Sequence, residues 1–195
     1  MGAYKNQDFD FVFRTQQLLK QYEIIKNGNN KEGYEFTLLM NCFVGLLIIP
    51  QQINERNRSE GLSPAEILSA TDIVDESNFG INPDHIKISV GFGNQNDKTI
   101  RNVVRHFRHS VAHSRFEVKS QYEKISSIIF RDENSAGNPT FELELSIENV
   151  LKFALKISDC FLEAMSNAEG STNFHYYKEQ ENDFKFQEIR RMEIR

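Results

Sequence analysis

Residues 97–113 constrain the fold more than any other stretch, because one helical pattern separates their side chains onto two sides. At about 100° per residue, the apolar side chains share one narrow arc, which must face a core. They are Ile100, Val103, Val104, Phe107 and Val111. The opposite side carries Arg101, Asn102, Arg105, His106, Arg108, His109 and His113. We therefore expect a helix that packs on a core and presents arginines and histidines on its other side.

Positive charge is concentrated in the same part of the chain. The whole protein has a net charge of −5, which argues against a generally basic surface for nucleic acid. Residues 98–119, by contrast, contain six lysines or arginines and one acid, Glu117. Like charges on adjacent helical turns repel each other, and an anionic ligand would offset that local cost. We expect this ligand to be a phosphate group, beside histidines that transfer protons near neutral pH.

The remaining sequence predicts a mainly α-helical protein. Apolar spacing indicates helices over residues 8–27, 34–56 and 147–167. Residues 124–131 and 141–145 alternate like strands on either side of a turn-forming stretch at 132–139. The segment 124–146 is therefore expected to be a β-hairpin attached to a helical body. A brief strand is expected at 86–90, and residues 114–119 are assigned only as the exit from the central helix.

One domain is expected over residues 1–168, with an irregular insertion at 57–96. Residues 169–195 shift to mixed charge with scattered aromatic side chains and form a C-terminal extension whose order the sequence does not decide. The two cysteines, Cys42 and Cys160, each lie in an apolar predicted helix, which favours buried thiols in a reducing compartment and no metal site. The N-terminus lacks the apolar core of a signal peptide, and residues 36–50 are too short to span a bilayer. A cytoplasmic protein without membrane association is expected.

The polar side of the central helix resembles a short motif of the HEPN superfamily of RNA-cleaving proteins. Arg108, the polar residue His109 and, five positions after the arginine, His113 match the motif. A second, overlapping match runs through Arg101, Asn102 and His106, but the later copy closes the helix, as the family motif usually does. The motif is short, and its position before the last long helix strengthens the resemblance, which covers roughly residues 8–168. The closest branch is the plasmid- and defence-associated bacterial HEPN proteins.

The resemblance implies a fold and an activity. The fold would be an up-and-down bundle of four to five helices, with the β-hairpin inserted before the last long helix. The activity would be cleavage of single-stranded RNA without metal or other cofactor, at a composite cleft of a homodimer, leaving a cyclic phosphate. A toxin or phage-defence setting would follow, with an antitoxin or other regulatory partner.

Roles for individual residues follow from the chemistry of such cleavage. His113 is assigned as general base or acid, Arg108 as the clamp on the phosphate and transition state, and His109 as a positioning or second proton-transfer group. Further RNA contacts are assigned to Arg101, Asn102, Arg105, His106 and Arg115. The clustered arginines are expected to lower the histidine pKa values.

Helix geometry limits what one chain can do. Arg108 and His113 lie about 140° apart around the helix and about 7.5 Å apart along it, whereas His109 and His113 are close neighbours. Two such helices laid across each other in a symmetric dimer would join Arg108 of one chain to His113 of the other. A site completed in this way by two copies is what the resemblance to the HEPN superfamily implies.

Three other functions compete with this interpretation. The spacing of His106, His109 and His113 would also suit a metal hydrolase, although nearby arginines would repel a dication. A non-catalytic HEPN-like module that binds RNA or nucleotide, as the partner half of a toxin–antitoxin pair, would use the same cationic surface. Reading of DNA by the Arg/His helix is weaker, because a helix-turn-helix needs a short preceding turn and helix.

Overall fold

The computed structural model of the protein describes residues 7–28, 35–56, 72–88, 98–122 and 124–169. Its α-helices are α1 (Gln7–Gly28), α2 (Glu35–Arg56), the one-turn α3 (Glu76–Phe79), α4 (Ile100–Ala112) and α5 (Ile147–Glu169). Its strands are β1 (Lys87–Ile88), β2 (Phe116–Gln121), β3 (Lys124–Glu133) and β4 (Pro139–Ser146). A 3-10 turn at Pro83–His85 precedes β1. The three long predicted helices and the central helix are confirmed to within a few residues at each end.

Helix α4 has a defined start and a defined end. Thr99 caps its N-terminus, because its hydroxyl accepts a hydrogen bond from the backbone N–H of Asn102 at 3.4 Å. At the other end the backbone N–H of His113 donates to the carbonyl of His109, and Ser114 adopts a left-handed conformation with φ 54°. The N–H of Arg115 then donates to the carbonyl of Ser110 at 2.7 Å. This turn closes the helix and directs the chain into β2.

Phe107 marks the centre of the core and shows how α4 is enclosed. The ring is fully buried and meets four other rings, one from each of the elements around it. These are Phe43 of α2 at 5.7 Å, Phe130 of β3 at 4.7 Å, Phe141 of β4 at 5.8 Å and Phe153 of α5 at 5.0 Å between ring centroids. All four pairs meet edge to face, the arrangement that aromatic quadrupoles favour. Helix α4 therefore lies between two helices and a sheet.

The prediction of a mainly α-helical, up-and-down bundle with a hairpin attached to it is wrong. Four antiparallel strands form one sheet in the order β1-β4-β3-β2, alongside the five described helices. The predicted hairpin is present, with Ile128 opposite Leu145 and Phe130 opposite Leu143, but these side chains are buried in the main core. Because the apolar side of the hairpin covers α4, the sheet is a structural layer of the domain and not an appendage.

Strand β2 accounts for much of the missed sheet. The residues assigned as the exit from the central helix form an edge strand that pairs antiparallel with β3, Val118 facing Ile128. Five of its six residues are exposed. Since neither side of such an edge strand needs to be apolar, its sequence carries no alternation that would indicate a strand.

The predicted insertion is only partly described. Residues 72–88 contain α3, the 3-10 turn and β1, and within them Val74, Phe79, Ile81 and Ile86 are buried in the core. The expected brief strand is confirmed at Lys87–Ile88, where it pairs with β4. Residues 57–71 and 89–97 lie outside the described part of the chain, as does the predicted C-terminal extension after Glu169.

Candidate functional site

The predicted site residues occupy three environments on and after α4. Arg101, Arg105 and His113 are exposed, Asn102, Arg108, His109 and Arg115 are partly buried, and His106 is buried. The expected position of His106 on the polar surface is therefore wrong. Helices cover the apolar arc of α4, and the sheet covers a neighbouring flank. The buried side of the helix is therefore wider than one narrow arc. It includes His106 and Ser110 together with the predicted apolar residues.

Asp132 of β3 is the residue that organises this surface, and sequence reasoning missed it. Its side chain is almost fully buried, and one carboxylate oxygen, Oδ2, accepts hydrogen bonds from two histidines of α4. His106 donates from Nδ1 at 2.8 Å and His109 donates from Nδ1 at 3.1 Å. The other oxygen, Oδ1, accepts from the backbone N–H of Glu133 at 2.8 Å and lies 3.4 Å from a guanidinium nitrogen of Arg115. One carboxylate thus joins the helix, the strand and the turn that follows the helix.

The register of β3 explains why this carboxylate points inward. Alternate residues of a strand face the same side, and Ile128, Phe130 and Asp132 all face the core. The pairing with β4 shifts register between Asp132 and Glu133, so the regular ladder ends just after the carboxylate. The sequence pattern predicts that the strand ends at Arg131 and that Asp132 lies in a turn, so this boundary is wrong. The signal that would have found it is an acid that continues the inward-facing alternation of a buried strand.

The buried contact between His106 and Asp132 joins a neutral imidazole to a carboxylate. Burial lowers the pKa of His106 more strongly than its hydrogen bond to Asp132 raises it, and nearby Arg105 lowers it further. The expected lowering is confirmed for His106, although burial is its main cause and the arginine a lesser one. For Asp132 burial opposes ionisation, but hydrogen bonds from His106 and the Glu133 backbone bring its pKa below the usual value. His106 also stacks on Phe141, with ring centroids 4.7 Å apart and planes 5° apart.

His109 lies between the buried carboxylate and the surface. While its Nδ1 contacts Asp132, its Nε2 lies 3.1 Å from a guanidinium nitrogen, Nη2, of Arg108. A carboxylate only accepts hydrogen bonds and a guanidinium only donates them. Both contacts are therefore satisfied together when His109 is neutral, with its proton on Nδ1 and a lone pair on Nε2 directed to Arg108.

His113 completes the surface of the site at the C-terminal end of α4. It is exposed, and its ring centroid lies 6.4 Å from that of His109, as expected for residues one turn apart. On one chain His109 therefore lies near both Arg108 and His113, while Arg108 and His113 point about 140° apart around the helix. This arrangement places a fixed cation, a neutral imidazole backed by a carboxylate, and an exposed second imidazole on one surface. Together they can bind a phosphate and move protons at two positions.

Three of the predicted RNA contacts lie apart from the Asp132 contacts. Arg105 donates to the side-chain oxygen of Asn102 at 2.7 Å, which places both toward the N-terminal end of the helix. Arg101 is exposed on the first turn. Arg115, by contrast, joins the cluster through Asp132 and through Glu133, whose carboxylate lies 3.4 Å from its Nε. The cationic surface therefore extends along α4, and its C-terminal end contains the acid–histidine contacts.

The described residues contain no group of three or more His, Cys, Asp or Glu side chains placed to hold a metal ion. The three histidines of the rival metal-site hypothesis do not converge, because His106 is buried against Phe141 and Asp132 while His113 is exposed. Cys42 and Cys160 are free thiols, and burial raises the pKa of each. None of the helices in the described ranges is both long enough and apolar enough to cross a membrane.

An Arg/His helix packed between two helices and a sheet, with Arg101, Arg105 and His113 exposed, carries the motif that resembles the HEPN superfamily, and comparison with known families agrees. A family model described as HEPN pEK499 p136 matches residues 1–168. The chain therefore belongs to the HEPN family, which confirms the resemblance inferred from Arg108, His109 and His113. The family points to a function related to RNA, nuclease activity or toxin–antitoxin systems. Neither the curated proteins nor the solved structures include a significant match.

Proposed function

We propose that this protein is a metal-independent endoribonuclease that cleaves single-stranded RNA through attack of a ribose 2′-OH on the adjacent phosphate. The observation that carries the proposal is the contact chain Asp132–His109–Arg108, which lies beside exposed His113. A neutral imidazole whose Nε2 lone pair faces a guanidinium brings a base and a phosphate-binding cation to one place. Membership of the HEPN family supports RNA as the substrate, in a toxin or defence setting.

Three tasks must be divided among the site residues. A base removes the proton of the 2′-OH, an acid protonates the 5′-oxygen as it leaves, and a cation stabilises the negative charge that builds up on the phosphorane. Arg108 takes the third task, because its planar guanidinium can bind two phosphate oxygens. His109 and His113 take the two proton transfers. Exposed Arg101 and Arg105 guide the RNA along the helix, with Asn102 and Arg115 at its two ends.

His106 has a different role in this proposal. Since it is buried and stacked on Phe141, it supports Asp132 from behind and does not reach the RNA. Its hydrogen bond to the oxygen that also accepts from His109 holds the carboxylate in place. A buried neutral donor achieves this without adding a second charge to the core.

The proposal includes a site completed by a second copy of the chain. Arg108 and His113 point about 140° apart on one helix, so a phosphate bound by one Arg108 is reached more easily by His113 of a partner. A mixture of Arg108→Ala and His113→Ala chains tests this directly. In a composite site, a mixed dimer contains one intact combination and regains cleavage that neither variant shows alone. Absence of recovery in verified mixed dimers would place both residues on one chain.

The central experiment follows cleavage of an end-labelled single-stranded RNA in EDTA. Wild type is compared with His113→Ala and with an oligonucleotide carrying 2′-deoxyriboses. Cleavage by wild type alone, abolished by the deoxy substitution and lowered about 10²- to 10⁴-fold in the variant, is the expected result. A matched control is His85→Ala, because His85 is exposed and lies outside α4.

Two other results would contradict the proposal. Cleavage by wild type only after addition of Zn²⁺ or Mg²⁺ would identify a metal-dependent enzyme. RNA or nucleotide binding that survives His113→Ala, without cleavage by either protein, would identify a non-catalytic partner module of a toxin–antitoxin pair.

A further inference from the structure

We propose that Asp132 is a positioning residue that fixes the tautomer of His109, so that Nε2 of His109 is the basic nitrogen of the site. The effect on catalysis rests on the proposed RNA cleavage, but the tautomer of His109 can be measured without any substrate. Nothing in the short Arg/His motif points to Asp132, which lies on a strand beyond the motif. It extends the site from one helix to the sheet.

Hydrogen-bond donors and acceptors around His109 match only one of its two neutral forms. Asp132 Oδ2 lies 3.1 Å from His109 Nδ1, and Arg108 Nη2 lies 3.1 Å from His109 Nε2. With the proton on Nε2 instead, the ring would present a lone pair to a carboxylate and an N–H to a guanidinium. Both contacts would then be repulsive. The surroundings of His109 therefore select one of its two neutral forms.

Asp132 is itself held in place from several sides. His106 and the Glu133 backbone fix its two oxygens at 2.8 Å each, and Arg115 lies on the outer side of Oδ1. The side chain is 5% exposed, so water does not compete effectively for these contacts. A carboxylate anchored in this way orients the ring of His109 before RNA arrives, and pre-arranged groups are what make proton transfer efficient.

The reaction then follows a defined path for protons and bonds. RNA phosphate replaces His109 as the partner of Arg108, which frees the lone pair on Nε2. Nε2 takes the 2′-OH proton, the 2′-oxygen forms its bond to phosphorus, and the bond from phosphorus to the 5′-oxygen breaks. The protonated form of His113 gives its proton to that leaving oxygen. The products are a cyclic phosphate and a 5′-OH end, and Asp132 stabilises the imidazolium formed on His109.

Asp132→Asn tests the assignment sharply, because neither orientation of the amide reproduces the carboxylate. If the amide NH₂ took the place of Oδ1, it would face two donors, the Glu133 N–H and Arg115. In the better orientation the NH₂ takes the place of Oδ2 and donates toward both histidine Nδ1 atoms. His109 must then move its proton to Nε2, where it no longer acts as a base. Loss of the correct tautomer is costly for a general base.

The experiment records histidine ring nitrogens by long-range proton–nitrogen NMR on the full-length protein at mildly alkaline pH. The signals of His109 are assigned from their loss in His109→Gln. We expect wild type to show a protonated Nδ1 and an unprotonated Nε2, and Asp132→Asn to show the reverse. Glu144→Gln removes an exposed carboxylate from the neighbouring strand of the same hairpin and serves as the matched control. It should leave the His109 signals unchanged.

Cleavage of end-labelled single-stranded RNA in EDTA forms the second arm. Asp132→Asn should lower kcat by about 10²- to 10⁴-fold with little change in KM, whereas Glu144→Gln should match wild type. The variant should also change the pH–rate profile of cleavage, because the site loses its basic nitrogen. The charged and titratable groups facing Asp132 are His106 and His109 on α4, Arg115 before β2 and Glu133 beside it. A His106→Gln profile therefore separates the contribution of the buried histidine.

The outcomes are distinct. If His109 of the wild type carries its proton on Nε2, the proposal is wrong. This outcome does not depend on whether the Asp132→Asn protein folds. Identical His109 signals in wild type and folded Asp132→Asn also overturn it. A tautomer switch without RNA cleavage by wild type supports the positioning role and contradicts the proposed function. A switch together with the loss of kcat supports both.

Discussion

The β3–β4 hairpin carries charged contacts on both of its sides, and the two sets differ in burial more than in distance. On the outer side Lys119 contacts Glu144 at 2.7 Å, and Arg131 contacts Glu117 at 2.9 Å and Glu142 at 3.0 Å. On the inner side Asp132 contacts its partners at 2.8 to 3.4 Å. The outer contacts, at 2.7 to 3.0 Å, overlap the range of the inner ones. Distance alone therefore does not distinguish a surface ion pair from an organised site.

The difference in burial gives the two sides different consequences. Lys119 and Glu144 are 45% and 46% exposed, so water and salt compete for both charges and the pair stabilises little. The Asp132 side chain is 5% exposed, and the loss of any partner would leave a buried polar group unsatisfied. Arg131 and Asp132 are adjacent in sequence, and the alternation of the strand alone sends one to each side. The comparison predicts that substitutions of neighbouring residues will have very different effects.

The largest effect on stability is expected for Asp132→Ala. Removing the carboxylate leaves the Nδ1–H of His106 and the backbone N–H of Glu133 buried without an acceptor, which should lower the free energy of unfolding by about 3 kcal/mol. Glu144→Ala, the matched change on the outer side, should lower it by about 0.5 kcal/mol. Urea unfolding of both variants measures the difference. Equal losses would mean that burial does not separate the two sides.

A double-mutant cycle makes the comparison sharper. His106→Ala combined with Asp132→Ala should give a coupling free energy of about 1 to 2 kcal/mol, because the two side chains share a buried hydrogen bond. The same cycle on Lys119 and Glu144 should give a coupling close to zero, since their contact is exposed. A larger coupling on the outer side would reverse the proposed ranking.

The sequence predicts the apolar side of α4 better than it predicts the side that carries His106. The amphipathic pattern of α4 predicted its buried apolar residues correctly, because the apolar arc depends only on helical spacing. The same pattern placed His106 on the surface, since spacing within one helix does not tell how many layers cover it. His106 is buried because the sheet covers it. The edge strand β2 of this sheet shows no alternation of apolar and polar residues that would predict it. The long helices and the β3–β4 hairpin were therefore predicted, whereas β2 and the layering of helices and sheet were not.

The candidate site shows the same limit. Arg108, His109 and His113 were found because a helix places them together over short sequence separations. Asp132 lies 23 residues from His109 along the chain, and their contact depends on how β3 packs against α4. Asp132 begins the sequence Asp-Glu-Asn, which favours a turn and does not indicate that its side chain points inward. Local pattern thus predicts the cationic half of the site, whereas its acidic half requires the tertiary fold.

A change of pH should also distinguish the buried contacts from the outer ones. The pKa of His106 lies below its ordinary value of 6.5 because burial disfavours the charged ring. As the pH falls below about 6.5, the unfolded chain binds a proton that the native protein does not, so stability is complete above that pH and declines below it. Asp132, whose pKa is also lowered, extends the loss to more acidic pH. The free energy of unfolding of wild type should therefore decrease between about pH 7.5 and about pH 5.5.

His106→Gln isolates the contribution of the buried histidine to this decrease. The amide keeps a donor near Asp132 but does not titrate in this range, so the variant should show a flatter pH dependence than wild type. His85→Gln, at an exposed position, should retain the wild-type slope. Urea unfolding at matched ionic strength provides both curves. A His106→Gln slope equal to that of wild type would show that other groups control acid sensitivity.

The smallest effect is expected for Arg131, although it is the immediate neighbour of Asp132. Its hydrogen bonds to Glu117 and Glu142 raise its pKa, yet the side chain is 39% exposed and the contacts are accessible to salt. Arg131→Ala should lower the free energy of unfolding by about 0.5 kcal/mol at low salt, and this loss should fade in about 1 M NaCl as the charges are screened. The loss caused by Asp132→Ala should persist in the same salt, because ions do not reach its buried partners. An Arg131→Ala loss that is large and independent of salt would show that the outer contacts form part of the same organised structure as the inner ones.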